Sequence, residues 1–127
     1  MIFGIGVDIL RLERIQKVWD RHGLNLADKI LSEAERAEFD ANKNPVRYLA
    51  MAFAAKEAFS KAHGTGFRGV LGFRDAGVVR EASGRPVLIF SSAMQLHLQE
   101  RGIAGGHVSL SDEGGLICAM VVLECGA

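Results

Sequence analysis

Residues 4–12, GIGVDILRL, place an aspartate inside an apolar stretch near the start of the chain. Side chains alternate in character from residue 2 to residue 9, which predicts a β-strand with two different faces. One face carries Phe3, Ile5, Val7 and Ile9, and the other carries Gly4, Gly6 and Asp8. A carboxylate on such a strand is costly to bury unless a partner compensates it. The interpretation of this strand therefore depends on what Asp8 pairs with.

The two glycines indicate a close approach to the strand, because glycine weakens a strand and is retained where another backbone or a ligand comes near. Asp8 has two corresponding interpretations. It caps the helix predicted to follow, as aspartate often does, or it is a polar group of a binding site. The residues of this stretch alone leave both interpretations open.

The composition is that of one small globular domain, expected to span residues 1–127. The chain is 49% hydrophobic and 24% charged, and fifteen Lys and Arg balance fifteen Asp and Glu. This balance argues against a broad basic surface for nucleic acid, so any basic patch must be local. We expect neither a membrane span nor a signal peptide. Cys118 and Cys125 fall on opposite faces of one predicted strand, so we expect no disulfide and a cytoplasmic protein.

Local signals predict a chain of mixed α and β structure. Helices are expected from Arg11 to about His22, from Ser32 to Asn42 behind a Ser32–Glu35 capping box, from Pro45 to about His63, and from Ser91 or Ser92 to near Gly102. Further strands are expected at Val78–Ala82, Pro86–Phe90, His107–Asp112 and Leu116–Glu124, the first two as a hairpin. This order predicts an α+β fold in which a small antiparallel sheet packs on the one long helix.

The predicted long helix combines a face of mostly small apolar side chains with a charged pair, Glu57 and Lys61. At about 100° per residue the pair lies on the other side of the helix, beside Ala50 and Ala54. Spacing alone favours an ordinary surface ion pair between residues i and i+4. The following His-Gly-Thr-Gly, residues 63–66, favours a site instead, because a glycine turn with exposed N–H groups directly after a lysine suits phosphate.

The segment HVSLSDE, residues 107–113, places His107, Ser109 and Ser111 on one strand face. Three hydrogen-bonding side chains in a row suit a polar ligand, and they equally suit a strand edge that faces solvent. The segment alone does not decide between these.

Four segments together resemble the holo-acyl-carrier-protein synthase family, the small 4′-phosphopantetheinyl transferases. The segments are GIGVDILRLERI from residue 4, FAAKEAFSKAHGTG from residue 53, GRPVL from residue 84 and HVSLSDE from residue 107. Their order and spacing match the family over essentially the whole chain. The resemblance implies the family's fold, a trimer, and transfer of the phosphopantetheine arm of coenzyme A to a serine of an apo acyl-carrier protein. It also implies release of adenosine 3′,5′-bisphosphate and a role in fatty acid biosynthesis.

The resemblance also implies roles for individual residues. Asp8 and Glu57 would be ligands of Mg²⁺, which suits the preference of that ion for carboxylate, phosphate and water oxygens. With Lys61 they would form the catalytic group, and Glu57 would accept the serine proton directly or through a water. The implied contacts with coenzyme A are Lys61, Gly64, Thr65, Gly66, Arg85, Pro86, His107 and Ser109. Asp112 stands where many members of the family carry histidine; it is assigned no catalytic role, and a supplementary metal contact there stays open.

The first predicted helix carries four basic residues in one sector, Arg11, Arg14, Lys17 and Arg21. A solvated face is the ordinary interpretation of such a stripe. By the resemblance, it is the helix on which an acidic carrier protein docks, where complementary charge raises association rate and specificity.

The last predicted strand is apolar throughout residues 116–123, so we expect it to be covered on both faces. The long helix covers one face, and further copies of the chain would cover the other, leaving sites in the clefts between subunits. The alternative is a monomer whose helices at 32–42 and 92–101 cover the second face. Two other functions stay in view: a non-catalytic oligomeric module that binds coenzyme A or a nucleotide, and a docking protein for acidic partners.

Overall fold

The structure, a computed structural model, describes residues 1–64 and 71–126. In chain order the elements are β1 (Ile2–Arg11), α1 (Leu12–His22), α2 (Leu24–Ile30), α3 (Glu33–Ala41), α4 (Pro45–His63), a short 3₁₀ helix (Phe73–Asp75), β2 (Ala76–Arg80), β3 (Pro86–Phe90), α5 (Ser92–Glu100), β4 (Ile103–Glu113) and β5 (Leu116–Cys125). One antiparallel sheet has the order β1-β5-β4, and β2 and β3 form a separate antiparallel hairpin. The predicted α+β fold, with a small sheet packed on one long helix, is confirmed.

The long helix α4 begins and ends where its capping signals predict. The Asn44 side chain accepts a hydrogen bond from the N–H of Arg47 at 3.2 Å, and Pro45 occupies the first helical position. Gly64 ends the helix in the left-handed conformation, with φ at 96°, which glycine adopts at little cost.

The helix α4 is buried on more sides than its sequence predicts. Ala50 and Ala54, which lie beside the charged pair on the other side of the helix, are fully buried. The predicted face of small apolar residues is buried too, because α4 packs on β1 and β5 along one side and contacts α1, α2, α3 and β2 along the others. The helix is therefore the central element of the core.

The two faces of the β1-β5-β4 sheet have different environments. On the inner face, Ile117, Ala119, Val121 and Leu123 are buried against the core. On the outer face, Ile5, Val7, Ile9 and Met120 are 56%, 44%, 64% and 43% exposed. The shorter helices thus leave the outer face uncovered in a single chain.

Several boundaries differ from the prediction. The helix α2 has no predicted start signal, because its capping residue is Gly23, which has no side chain to cap it. The strand β2 lies two residues earlier than expected, since the hairpin loop takes residues 81–85 and closes with Glu81 N–H bonded to the Arg85 carbonyl at 2.9 Å.

Cys118 and Cys125 are both free thiols. Over the described ranges, no helix has the length and apolarity that crossing a membrane requires.

Candidate active site

Asp8 meets Lys61 where α4 crosses the inner face of β1. Lys61 Nζ lies 3.2 Å from Asp8 Oδ1 and donates to the carbonyl of Val7 at 2.9 Å. The Asp8 side chain is 15% exposed and that of Lys61 is 55% exposed, so the pair lies at the protein surface. The expected surface pair of Glu57 with Lys61 is absent from the ion pairs of the described residues. The capping interpretation of Asp8 was also wrong, because Arg11 precedes α1 and no side chain caps it.

The two glycines of β1 set the distance between this strand and the helix. A Cβ on Gly6 would overlap the carbonyl oxygen of Ala58 and lie 2.7 Å from the backbone nitrogen of Ala62. A Cβ on Gly4 would overlap the carbonyl oxygen of Ala62. The close approach indicated by the sequence is therefore that of another backbone, and it brings Lys61 within reach of Asp8.

Glu57 lies on α4 one turn before Lys61, and residues four apart share one side of a helix. Its side chain is partly exposed. Asp8 and Glu57 offer carboxylate oxygens, the donors that Mg²⁺ prefers, and this ion is usually held by one or two carboxylates plus waters and substrate phosphates. Over residues 1–64 and 71–126, no cluster of three or more His, Cys, Asp or Glu is placed to hold a metal. The two carboxylates fit an Mg²⁺ that a phosphorylated substrate helps to bind.

A buried ion pair between Lys56 of α4 and Glu35 of α3 has no counterpart in the sequence prediction. Lys56 Nζ lies 2.7 Å from Glu35 Oε1 and also donates to the carbonyls of Phe73, at 2.6 Å, and Ala76. The other carboxylate oxygen of Glu35 accepts the N–H of Val78 at 3.1 Å. Burial lowers the pKa of the Lys56 ammonium, and the charge of Glu35 opposes that shift. The pair ties α3, α4 and β2 together.

The residues implied as coenzyme A contacts are not gathered in one place. Gly64 ends α4 three residues after Lys61, and Thr65 and Gly66 lie outside the described residues. Arg85, in the β2–β3 loop, is bonded to Glu81 at 2.9 Å, and Pro86 begins β3.

His107 and Ser109 lie on the outer face of the sheet. His107 pairs across strands with Val122 and Ser109 pairs with Met120, and His107 Nε2 lies 3.4 Å from Glu124 Oε2. A single chain therefore places these two residues on the opposite face of the sheet from Asp8.

The four basic residues of the first helical stretch are all exposed: Arg11, Arg14, Lys17 and Arg21. The guanidinium of Arg14 lies over the ring of Phe53, 5.6 Å from its centre. Lys17 pairs loosely with Glu13 at 3.8 Å. The stripe is an accessible basic surface that begins at the end of the strand carrying Asp8.

Asp112 does not join the two carboxylates of the site. Asp8 pairs with Ala119 and Ala119 with Leu110, so the strand of Asp112 lies two strand spacings, about 10 Å, from that of Asp8. Its carboxylate accepts two hydrogen bonds from Arg47, and these bonds lower its pKa below the usual range. Ion pairing with Arg47, which no local pattern indicates, is the observed role of Asp112.

A cleft lies between α3, α4, the hairpin and β4. It has a volume of about 600 Å³, and Gly84 of the hairpin loop is among its lining residues. Arg47, Tyr48, Met51 and Ala52 of α4 line it, and all four precede Glu57 by at least five residues along the helix. The cleft therefore lies toward the N-terminal end of α4, whereas the carboxylate site lies nearer its C-terminal end.

Comparison with known proteins gives the same family as the sequence motifs. The family model of the 4′-phosphopantetheinyl transferase superfamily matches residues 4–120. A holo-[acyl-carrier-protein] synthase of Thiobacillus denitrificans is 46% identical over 127 residues, which cover 100% of this chain and 97% of the relative.

Solved structures agree in fold. The crystal structure of holo-[acyl-carrier-protein] synthase from Neisseria meningitidis is similar with a TM-score of 0.93 at 44% identity, covering 98% of this chain and 99% of that one. A Bacillus anthracis holo-(acyl-carrier-protein) synthase in complex with CoA (3′,5′-ADP) is similar with a TM-score of 0.81 at 37% identity, covering 99% of each chain. This chain therefore belongs to the 4′-phosphopantetheinyl transferase superfamily, as the resemblance of its motifs predicts.

Proposed function

We propose that this chain transfers the 4′-phosphopantetheine arm of coenzyme A to a serine of an apo acyl-carrier protein. The serine oxygen forms a bond to the phosphorus that carries the pantetheine arm, the pyrophosphate bond breaks, and adenosine 3′,5′-bisphosphate leaves. The observation that carries the proposal is the Asp8–Lys61 pair with Glu57 one helical turn away. The names of the relatives and the ligand of the B. anthracis structure support it. Such an enzyme would act in the cytoplasm and support fatty acid biosynthesis.

We assign Asp8 and Glu57 as the residues that hold Mg²⁺. The bound ion would neutralise the charge that develops on the pyrophosphate as its bond breaks. Lys61, whose ammonium already lies beside Asp8, would bind a phosphate oxygen as a point charge. Glu57 would accept the proton of the serine hydroxyl, directly or through one water.

We further propose that each site is shared between copies of the chain. Lys61, Gly64, Thr65 and Gly66 of one copy would contact coenzyme A together with Arg85, Pro86, His107 and Ser109 of a neighbour. Two features support this: His107 and Ser109 lie on the opposite sheet face from Asp8, and the cleft beside the hairpin lies toward the other end of α4 from Lys61.

The exposed outer face of the sheet supports a homo-oligomer, and the family resemblance implies that it is a trimer. Ile5, Val7, Ile9 and Met120 form an apolar surface that a soluble monomer would leave in water. Three copies packed through this face would bury it and place the polar β4 of each copy next to its neighbour. Light scattering tests this, and a mass near 13.7 kDa in active samples would contradict it.

We propose the exposed stripe of Arg11, Arg14, Lys17 and Arg21 as the docking surface for the acidic carrier protein. Its position supports this, because α1 starts directly after the strand that carries Asp8. A carrier bound there would bring its serine to the end of β1.

A non-catalytic module that binds coenzyme A is the second candidate, favoured by the separation of the cleft from the carboxylates. It has no need of Asp8, Glu57 and Lys61 together, and this chain has all three. A docking protein for acidic partners explains the basic stripe alone.

The deciding experiment is intact mass spectrometry of apo carrier protein incubated with this protein, coenzyme A and Mg²⁺. We expect a gain of one phosphopantetheine group, lost in Lys61→Met and kept in Lys43→Met, which removes an exposed lysine elsewhere. An unchanged carrier mass with wild-type protein would favour the non-catalytic module.

A further inference from the structure

The cleft between α3, α4, the hairpin and β4 has the size and lining of a small-molecule site. Its volume of about 600 Å³ is within the ordinary range for ligand pockets. Met51, Ala52, Val78 and Leu110 supply apolar lining, and Arg47 and Arg80 supply positive charge. The carboxylate of Glu38 also lines the cleft and accepts hydrogen bonds from Tyr48 and from the backbone of Arg80. Apolar walls with two arginines suit a flat base joined to a phosphate.

Arg80 is fixed at the wall of this cleft. Its side chain donates to the carbonyl of Gly84 at 2.9 Å, and its backbone N–H donates to Glu38 at 2.8 Å. Glu38 also accepts from the hydroxyl of Tyr48 at 2.9 Å. The second arginine, Arg47, is engaged differently.

Arg47 is paired with Asp112 through two hydrogen bonds. Nε lies 2.7 Å from Oδ2 and Nη2 lies 3.2 Å from Oδ1. This forked geometry is also the one by which arginine binds phosphate. The carboxylate of Asp112 thus occupies two of the donors that a phosphate in the cleft would use.

We infer that Asp112 competes with the phosphate of a bound ligand for Arg47, so that this pair sets the affinity of the cleft for phosphorylated nucleotides. The inference rests on the proposed function, which supplies adenosine 3′,5′-bisphosphate and its parent coenzyme A as ligands of that chemistry. Asp112, bonded to Arg47 near the start of α4, is then a specificity-determining residue for the ligand.

Because Arg47 and Asp112 are partly exposed, replacing Asp112 by a ligand phosphate at Arg47 requires little free energy. The side chains of Arg47 and Asp112 are 42% and 38% exposed. Ion pairs at this exposure contribute little net stability, because water and salt screen them. A phosphate carries more charge than a carboxylate and would meet both arginines. Asp112 therefore weakens phosphate binding without preventing it.

The test measures the affinity of adenosine 3′,5′-bisphosphate by calorimetry at low salt for five proteins. We expect Asp112→Asn to bind it about two- to five-fold more tightly than wild type, in line with the worth of an exposed pair. Arg47→Met is expected to bind more weakly, and adding Asp112→Asn to it should change nothing further. Asp40→Asn is the control for lost negative charge, because it removes a carboxylate bonded to an arginine outside the cleft, Arg36, which keeps its second partner Asp28.

Weaker binding by Asp112→Asn would overturn the inference, because Asp112 would then orient Arg47 for the ligand. An equal gain in nucleotide affinity in the Asp40→Asn control would overturn it as well, since loss of any negative charge would then be enough to tighten binding. The transfer assay separates this from the proposed function. If wild type transfers phosphopantetheine and Asp112→Asn binds adenosine 3′,5′-bisphosphate as wild type does, only the inference is contradicted. If Asp112→Asn binds the nucleotide more tightly and wild type transfers nothing, the inference is supported and the proposed function is contradicted.

Discussion

The ammonium of Lys61 lies 3.2 Å from a carboxylate oxygen of Asp8, across 53 residues of sequence. The cation beside Asp8 in this structure is therefore a side chain of the protein, the ammonium of Lys61. A lysine at this position neutralises the carboxylate in the absence of ligand and is free to turn toward a phosphate, because it is half exposed.

Asp8→Asn and Glu57→Gln are expected to remove most metal-dependent transfer activity and to leave the fold intact. Each change keeps the size of the side chain and deletes one ligand charge. Initial rates at increasing Mg²⁺ measure the effect, and excess metal should partly rescue the weaker binder. The control is Glu100→Gln, an exposed carboxylate on α5. Near-normal turnover of either variant at ordinary Mg²⁺ would show that the metal assignment is wrong.

Gly6→Ala is expected to destabilise the protein by several kcal/mol, because the new Cβ would overlap the carbonyl of Ala58 and force α4 from β1. Gly72→Ala is the matched control, since a Cβ there meets nothing within 4 Å and φ is −149°. Urea unfolding at fixed protein concentration measures both. If the two variants lose equal stability, the close approach of helix and strand is not what requires Gly6.

The sequence predicts those parts of the fold that have local signals. Asn44-Pro45 and Gly64 give both ends of α4, and Ser32 with Glu35 gives the start of α3. Contacts between distant residues have no such signal. Besides its part in this capping box, Glu35 pairs with Lys56, which is 21 residues away in the sequence. A capping pattern spans only one helical turn and therefore cannot predict that pair.

The candidate site was predictable only through the family motifs. The motifs identify Asp8, Glu57 and Lys61, but they do not predict the ion pair between Asp8 and Lys61. The spacing of Glu57 and Lys61 favoured a pair that does not form, because the glycines of β1 let α4 come close enough for Lys61 to reach the strand.

Arg14→Glu is expected to raise KM for the carrier protein and to leave KM for coenzyme A nearly unchanged. The effect should shrink as salt rises, because exposed charges are screened beyond about 8–10 Å near physiological ionic strength. Arg14 also lies over Phe53, so Arg14→Gln is needed to separate loss of that contact from charge reversal. Lys43→Glu controls for net charge. Equal increases in both KM values would indicate that the helix has a structural role only.

Lys56→Met is expected to cost about 3–5 kcal/mol of unfolding free energy, because it leaves the buried carboxylate of Glu35 without its cation. Glu35→Leu with Lys56→Met should cost less than the single change to Lys56, since two apolar residues replace the whole pair. Denaturant unfolding of both variants, followed by the fluorescence of Trp19, gives the comparison. A double variant less stable than Lys56→Met would mean that the remaining hydrogen bonds of Glu35, rather than the charge pair, hold α3 to β2.

Stability should fall in acid through His63 at the end of α4. Its ring is 4% exposed and stacks on His97 with centres 5.0 Å apart. Burial lowers the pKa of His63 below its usual 6.5, and the charges of Arg101 and His97 lower it further. The unfolded chain therefore takes up the proton more readily. The stabilisation is complete above pH 6.5 and is lost as pH falls below it, by at most about 1.4 kcal/mol per pH unit.

His63→Phe should flatten the profile of unfolding free energy against pH between pH 7 and pH 5, and His22→Gln, at an exposed position of α1, should not. Parallel profiles for wild type and His63→Phe would assign the acid sensitivity to another group.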